Sequence, residues 1–138
     1  LDETNILVGY SDGSLQAWDL RSETYPISKL DLHSADVNQI LFHPREKNLV
    51  LTCSQDSTLK KLDPGCSISS MSLLHTDIKG DCKGWENRWS KISAFEHEIT
   101  ISNLVGRNYL SLNEMAFSEN RLISGTDARY LIYFNDIT

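Results

Sequence analysis

Residues 11–21, SDGSLQAWDLR, place two acids, a tryptophan and an arginine close together in sequence. Asp12 and Asp19 could form a carboxylate pair for acid–base catalysis, and Trp18 with Arg21 could form a binding surface. Catalytic carboxylates need a cleft that perturbs their ionisation, whereas an Asp in a turn commonly accepts hydrogen bonds from nearby backbone amides. The choice between a chemical site and a structural framework depends on whether this stretch recurs.

A second set of residues combines an imidazole, a carboxylate and two hydroxyls. His33 precedes one predicted strand, Asp56 lies in a predicted tight turn, and Thr52 and Ser54 lie in the strand between them. Such groups can link into one hydrogen-bonded network, and they also invite comparison with a catalytic triad. No nucleophile elbow of the GxSxG type is present, so a structural network is favoured over catalysis.

The other histidines and the cysteines do not have the spacing of metal ligands. The three cysteines are odd in number and none forms a CxxC pair, which favours reduced thiols in an intracellular compartment. The glycine-containing stretch GDCKG at 80–84 lacks the spacing of a phosphate-binding loop. We therefore expect no catalytic residue, no metal, no cofactor and no small-molecule substrate. The residues considered are His43, His75, His97, Cys53, Cys66 and Cys82.

The composition is that of an ordinary globular domain. Of 138 residues, 40% are hydrophobic and 23% are charged, which is enough apolar material for a core. The formal net charge of −6 argues against nucleic-acid binding, because such proteins concentrate lysine and arginine. No apolar run approaches the roughly 18 residues of a membrane helix. The first residues, LDETN, show no signal peptide and no initiator methionine, so we expect a piece of a longer protein.

The opening stretch does recur along the chain. ILVGYSDGSLQAWDL at 6–20 aligns with VLTCSQDSTLKKLDP at 50–64, an offset of 56 − 12 = 44 residues. A period of about 40–45 residues is that of a WD-repeat propeller blade. A weaker third copy, LISGTDARYLIYF at 122–134, aligns Gly125 with Gly9 and Leu131 with Leu15.

Each copy has the pattern of a strand, a tight turn and a second strand. The Asp12–Gly13 pair is a strong hairpin signal, because the turn needs a positive φ that glycine tolerates. The repetition favours the framework interpretation of this stretch. Asp12 and Gly13 then shape the turn, Asp19 ends the strand, and Trp18 packs between blades.

The alternating apolar segments predict the remaining strands. The second blade is predicted to have four, and the last blade three, with further strands over 25–30 and 98–104. One helical turn is predicted around Trp85 and Trp89. The blade strands are predicted near 36–42, 49–54, 58–62 and 69–74, and near 110–117, 121–125 and 130–134.

These elements divide the chain into parts of a propeller. Three blades are fewer than the four to eight that usually close a ring, so we expect an incomplete ring with exposed apolar terminal faces. The strand at 130–134 is then an open edge that invites pairing and aggregation. The predicted parts are 1–31 (end of one blade), 32–74 (second blade), 75–108 (irregular insert plus strand) and 109–138 (last blade).

Three segments carry a resemblance to WD-repeat proteins: SDGSLQAWDLR, HSADVNQILFHP and CSQDSTLKKLD. The resemblance is good over 6–74 and weaker over 110–134. It implies an all-β propeller, with about three blades of a seven-bladed ring present. It implies a protein that binds partners and does not catalyse, with His33, Thr52 or Ser54, and Asp56 in an internal network. Leu62 stands where the family has the tryptophan that completes this network, so we expect blade rigidity to rest more on packing.

The order of WDLR, LFHP, TCSQDSTL, a long insert and ISGTDARYL is similar to the C-terminal half of a WD-repeat nucleoporin. That resemblance implies a scaffold subunit of the Y-shaped complex in the outer ring of the nuclear pore. Its implied partners are other nucleoporins, namely helical scaffold members of that complex, and its implied role is support of mRNA and protein transport. Its implied location is the nuclear envelope, with the kinetochore as a further location in mitosis.

A rival within the same class is a substrate receptor of a cullin-type ubiquitin ligase. Such receptors often carry a WD-x-R ending, which Trp18 to Arg21 fits, although Ala17 departs from the β-forming residue expected before the tryptophan. Arg21 is therefore either a partner contact or a cap on the strand end. Trp85 and Trp89 are either partner contacts or cover for a blade edge or core.

Overall fold

The computed structural model describes residues 5–21, 24–26, 28–46, 49–63, 99–106 and 110–137. These residues form ten β-strands, which confirms the all-β prediction. None of them forms a helix of the length and apolarity that crossing a bilayer requires. The strands are β1 Asn5–Gly9, β2 Ser14–Asp19, β3 Ser28–Asp31, β4 Val37–Phe42, β5 Val50–Ser54, β6 Leu59–Asp63, β7 Thr100–Val105, β8 Leu112–Ser118, β9 Arg121–Thr126 and β10 Leu131–Asn135.

The strands form three antiparallel sheets, which we call blades 1, 2 and 3. Blade 1 is β1-β2-β3, blade 2 is β4-β5-β6-β7, and blade 3 is β8-β9-β10. Sequential strands pair by short connections in blades 1 and 3, as expected for meanders. The strands β1 and β8 of the outer blades both pack against β4 of blade 2. Blade 2 is therefore sandwiched between the other two.

The fourth strand of blade 2 is not the one that the sequence predicted. β6 pairs with β7, with Leu62 opposite Ile101 and Asp63 opposite Thr100. This confirms the strand predicted over 98–104 but makes the assignment of 69–74 to that place wrong. The two segments have similar alternation, and local pattern does not say which one reaches the edge of β6. Segment 69–74 itself, and the helical turn predicted around Trp85 and Trp89, lie outside the described residues.

β5 is the strand most completely enclosed, with all five residues buried. Val50 packs with Leu15 and Leu62 in the core between blades 1 and 2. Leu51 and Cys53 face the other way, into the core between blades 2 and 3. A strand covered on both faces has a continuous rather than an alternating apolar pattern, and VLTCS has that pattern.

The hairpins of the three repeat copies, β1–β2, β5–β6 and β9–β10, share one turn geometry. The third residue of each loop takes a positive φ: 85° at Gly13, 68° at Ser57 and 65° at Arg129. Its amide donates to the carbonyl three residues earlier, at 3.1, 3.2 and 3.2 Å. In this type of hairpin the loop has three residues, and only the third takes the left-handed conformation. Asp12 and Asp56, at the second loop position, therefore do not need a positive φ. The paired residues that flank the loops are Gly9 with Leu15, Cys53 with Leu59, and Gly125 with Leu131.

The shared geometry confirms the alignment of Gly125 with Gly9. Ala128 takes the loop position of Asp12 and Asp56, which is why Asp127 falls one residue early in the third copy. Glycine costs nothing at the left-handed position, whereas an L side chain there is strained. The turn is therefore maintained in blades 2 and 3 against the local preference of Ser57 and Arg129.

Gly9 lies where blade 1 packs closely on blade 2. A Cβ added to Gly9 would lie 2.7 Å from Cγ1 of Val37, inside the contact distance of two carbon atoms. At the equivalent position of blade 3, a Cβ added to Gly125 would meet no described atom within 4 Å. The close approach, and not the strand conformation, requires glycine at position 9.

We predict that Gly9→Ala lowers the free energy of unfolding by about 1–3 kcal/mol, because the methyl group overpacks the contact between blades 1 and 2. Gly125→Ala is the matched control and should be close to neutral. Urea denaturation followed by tryptophan fluorescence and circular dichroism measures both. Equal effects of the two substitutions would contradict the packing argument.

Candidate functional site

The network predicted around His33 is present in blade 2. Nδ1 of His33 lies 3.1 Å from Oδ2 of Asp56 and 3.0 Å from Oγ1 of Thr58, and Nε2 lies 2.9 Å from Oγ1 of Thr52. The His33 side chain is fully buried, and that of Asp56 is 6% exposed. Three parts of the blade therefore meet at one imidazole: the loop before β4, the strand β5 and the β5–β6 turn.

The protonation states in this network follow from burial and from the hydrogen bonds. Burial lowers the pKa of His33 and outweighs the opposing charge of Asp56, which favours the neutral ring. Burial alone would raise the pKa of Asp56. The hydroxyl and amide of Thr58 and the amide of Ser34 donate to its carboxylate, and together with His33 they hold the pKa well below its usual range. Nδ1–H of His33 therefore donates to the carboxylate, and Nε2 accepts from the Thr52 hydroxyl.

The atoms follow the order of a hydrolase triad, with a hydroxyl on Nε2 and a carboxylate on Nδ1. Thr52, however, is entirely buried within β5. A nucleophile needs an open side on which a substrate carbonyl can approach, and Thr52 has none among the described residues. The chemistry that this arrangement can perform is hydrogen bonding within the blade.

Two details of the network differ from the prediction or were missed. Ser54 does not contact the imidazole: its hydroxyl accepts the amide of Asp56 at 3.0 Å and donates to the carbonyl of Ala35 at 3.2 Å. Thr58 was missed, although a hydroxyl two residues after a turn Asp is a visible signal for this contact.

Leu62 is fully buried in the core between blades 1 and 2.

The turn of blade 1 is bonded to the same loop. The carbonyl of Gly13 accepts the amide of His33 at 2.9 Å, and that of Tyr10 accepts the amide of Val37 at 3.2 Å. A Cβ on Gly13 would lie 2.1 Å from the carbonyl oxygen of His33. Gly13 is therefore required both by its positive φ and by the closeness of the two blades.

The two acids of the opening stretch do not form a pair. Asp12 precedes β2 and accepts the amide of Ser14 at 2.9 Å, while Asp19 ends β2 at its other end. Asp19 accepts the backbone amide of Arg21 at 2.9 Å and its guanidinium Nη2 at 2.8 Å. These bonds lower the pKa of Asp19 to about 2. Arg21 therefore caps the end of β2, which is one of the two roles that the sequence left open for it.

Trp18 is not part of the apolar core between blades 1 and 2. Leu15 and Ala17 lie on one side of β2, and Leu15 belongs to that core. Alternation along the strand places Ser14 and Trp18 on the opposite side. The hydroxyl of Ser14 and the indole Nε1 of Trp18 are buried there without a hydrogen-bond partner among the described residues. The predicted contacts at Trp85 and Trp89 lie outside the described part of the chain.

His43 links blade 2 to blade 3, a role that sequence reasoning did not assign. Its Nδ1 accepts the amides of Arg45 at 3.3 Å and Glu46 at 2.9 Å, so Nε2 carries the proton and donates to Oδ1 of Asn120 at 3.1 Å. The ring meets Phe117 edge to face, with centroids 4.9 Å apart. The imidazole therefore caps the loop after β4 and bonds to the β8–β9 turn.

No site of metal or thiol chemistry emerges from the residues described. No group of three His, Cys, Asp or Glu side chains among them lies close enough to hold a metal ion. Burial raises the pKa of Cys53 to about 11, which leaves an unreactive thiol in the core between blades 2 and 3.

Part of the sequence matches the model of a known protein family. The family model described as "WD domain, G-beta repeat" matches residues 24–63. Residues 24–63 of this chain therefore form a WD repeat. The matched repeat begins before β3 of blade 1 and ends with β6 of blade 2, so one WD repeat in sequence spans two blades in space.

Among curated proteins, the chain is similar to nucleoporin Nup43. The chain is 28% identical over 137 residues to Nup43 of Mus musculus and of Homo sapiens, which covers 89% of the chain. It spans about a third (36%) of the length of those relatives.

Among solved structures, the chain is similar to the β-propeller domain of Cps50 (Swd1) from Myceliophteria thermophila. The TM-score is 0.60 at 15% identity, with 96% of this chain and 35% of that chain covered. At this identity the likeness concerns the fold alone. It agrees with the three sheets described above, and the WD-repeat chain is part of a β-propeller.

We predict that Asp56→Ala lowers the free energy of unfolding by about 1–3 kcal/mol, because it leaves buried donors without an acceptor. Asp12→Ala is the matched control at the equivalent, exposed turn position and should cost less. Urea denaturation measures both variants. If Asp56→Ala were as stable as the original protein, the framework interpretation of this network would fail.

We predict that stability falls as the pH is lowered from about 7.5 to about 5.5. The pKa of His33 is lowered in the fold, so the unfolded chain takes up a proton near its ordinary pKa of 6.5 while the folded chain does not. Stability is therefore lost as the pH falls through 6.5. Urea denaturation at several pH values measures the slope, which should be smaller in His33→Gln; an equal slope would assign the dependence to other groups.

Proposed function

We propose that this WD-repeat chain belongs to a non-enzymatic scaffold subunit of the outer ring of the nuclear pore complex. In this role it binds other nucleoporins, namely helical members of the Y-shaped complex, and supports transport of mRNA and protein. It functions in the nucleus, at the nuclear envelope. The observation that carries the proposal is the similarity to Nup43 over 89% of the chain.

The geometry of the blades supports a structural role. The hydroxyls and the imidazole of the polar network are buried and bonded within blade 2, and the acids of the opening stretch bond to their own backbone. A protein with closed polar networks and buried inter-blade cores is suited to hold a rigid binding surface. The comparisons give no support to the kinetochore as a second location.

The test is affinity purification of the tagged endogenous protein, with quantitative mass spectrometry against an untagged control. We expect helical nucleoporins of the Y-shaped complex to be enriched, and the tagged protein to label the nuclear rim. Recovery of a cullin adaptor without nucleoporins would contradict the proposal and support the ligase receptor.

Arg21→Ala separates the two functions further. Arg21 is exposed and bonded to Asp19 of its own strand, so we expect its removal to leave nucleoporin recovery unchanged. A ligase receptor that docks through this arginine would instead lose its adaptor. The same purification, repeated with Arg21→Lys as the charge-conserving control, measures the difference.

A further inference from the structure

A polar cleft opens between blades 2 and 3, apart from the His33 network. Its volume is about 550 Å³. The side chains that line it come from the inner strands β4 and β8, from the loop before β8 and from the two hairpin turns, and all are polar. They are Asn38, Gln55, Ser111, Asn113, Glu114 and Asp127.

Two equivalent bulges place asparagines at this cleft. The pairing of β4 with β5 shifts between Val37 and Gln39, and that of β8 with β9 shifts between Leu112 and Glu114. The residue inside each shift is an asparagine, in the related segments VNQILF and LNEMAF. A bulge redirects a side chain relative to a regular strand, and bulges are common next to binding sites.

Three of the lining side chains use a hydrogen-bond donor within the protein. Nδ2 of Asn38 donates to the carbonyl of Leu112 at 2.7 Å, and Nδ2 of Asn113 donates to Oδ1 of Asp127 at 2.6 Å. The hydroxyl of Ser111 donates to Oδ1 of Asn113 at 3.2 Å. The asparagines and the serine thus each direct a donor at the protein itself, whereas the side-chain amide of Gln55 has no hydrogen bond among the described residues.

Oxygen atoms without a hydrogen bond among the described residues remain in the cleft: Oδ1 of Asn38, Oδ2 of Asp127 and the carboxylate of Glu114. No lysine or arginine is among the lining residues, so the charge of the two carboxylates is not balanced inside the cleft. A group that carries positive charge and only donors complements such a surface. A guanidinium has five N–H donors, no acceptor and a planar shape that suits carboxylates.

We propose that this cleft binds an arginine side chain presented by a partner polypeptide. The inference deepens the proposed function, since it names the chemistry by which a partner of the scaffold would be recognised. Arginine is favoured over lysine because its fork of donors can bond several acceptors at once, whereas an ammonium is a compact point charge.

The test uses the purified whole protein and a blocked peptide, acetyl-Gly-Arg-Gly-amide, with the citrulline and lysine peptides for comparison. Citrulline keeps the shape and loses the charge. Ligand-observed NMR titration should show the arginine peptide binding at least about tenfold more tightly than the citrulline peptide, with an affinity that falls as salt is raised.

Two carboxylate variants locate the binding. Glu114→Gln should lower the affinity for the arginine peptide by about fivefold or more, because it removes one negative charge from the cleft. Glu46→Gln removes the same charge from an exposed position after the other end of β4 and should leave binding unchanged. Glu114 is exposed, so circular dichroism of the variant should match that of the original protein.

Several outcomes overturn the inference: no binding of the arginine peptide, equal binding of the citrulline peptide, tighter binding of the lysine peptide, or no effect of Glu114→Gln. The binding test uses purified components only. Failure of the binding test would not contradict the nucleoporin proposal. Absence of nucleoporins from the affinity purification would not contradict the binding of arginine in the cleft.

Discussion

The buried contact between His33 and Asp56 is the interaction on which blade 2 depends. The His33 side chain is fully buried and that of Asp56 is nearly so, so each needs hydrogen bonds inside the protein, and the fold supplies them. The carboxylate collects donors from the turn and from the loop before β4, while the imidazole reaches across to β5. Because the amide of His33 also bonds to Gly13, the same residue connects blade 2 to blade 1. Turn, strand, loop and neighbouring blade are thus held by one set of contacts.

The other blades keep the turn and change the polar network. All three loops place a left-handed residue at the same position, so the backbone path is conserved within the chain. Blade 1 has Asp12 at the turn but exposes it, and blade 3 has Ala128 there. Blade 3 is joined to blade 2 by His43 and by contacts between inner strands. The packing of blade on blade, and not a repeated polar network, is therefore the common stabilising element of the described residues.

Polar groups serve two different ends in this structure. Around His33 the imidazole and the hydroxyls of Thr52 and Thr58 are buried and bonded to one another or to Asp56, which favours a rigid blade. Between blades 2 and 3 a donor of Asn38, Asn113 and Ser111 bonds to the protein, and two carboxylates line the opening. A rigid blade beside a cleft with two carboxylates suits the proposed binding of a partner.

The sequence by itself determined the all-β class, the 44-residue repeat, the hairpins and the grouping of His33 and Asp56 with a hydroxyl of the intervening strand. These follow from local patterns: period-two alternation, turn residues and an internal repeat. Only the tertiary structure decided that β7 and not 69–74 completes blade 2, because edge pairing is selected by contacts far apart in sequence. It also decided that the Thr52 hydroxyl, and not that of Ser54, bonds to the imidazole, and that Trp18 is not part of the core between blades 1 and 2. The cleft between blades 2 and 3 was invisible to the sequence, because it forms from residues 38 to 127 only when two bulged strands meet.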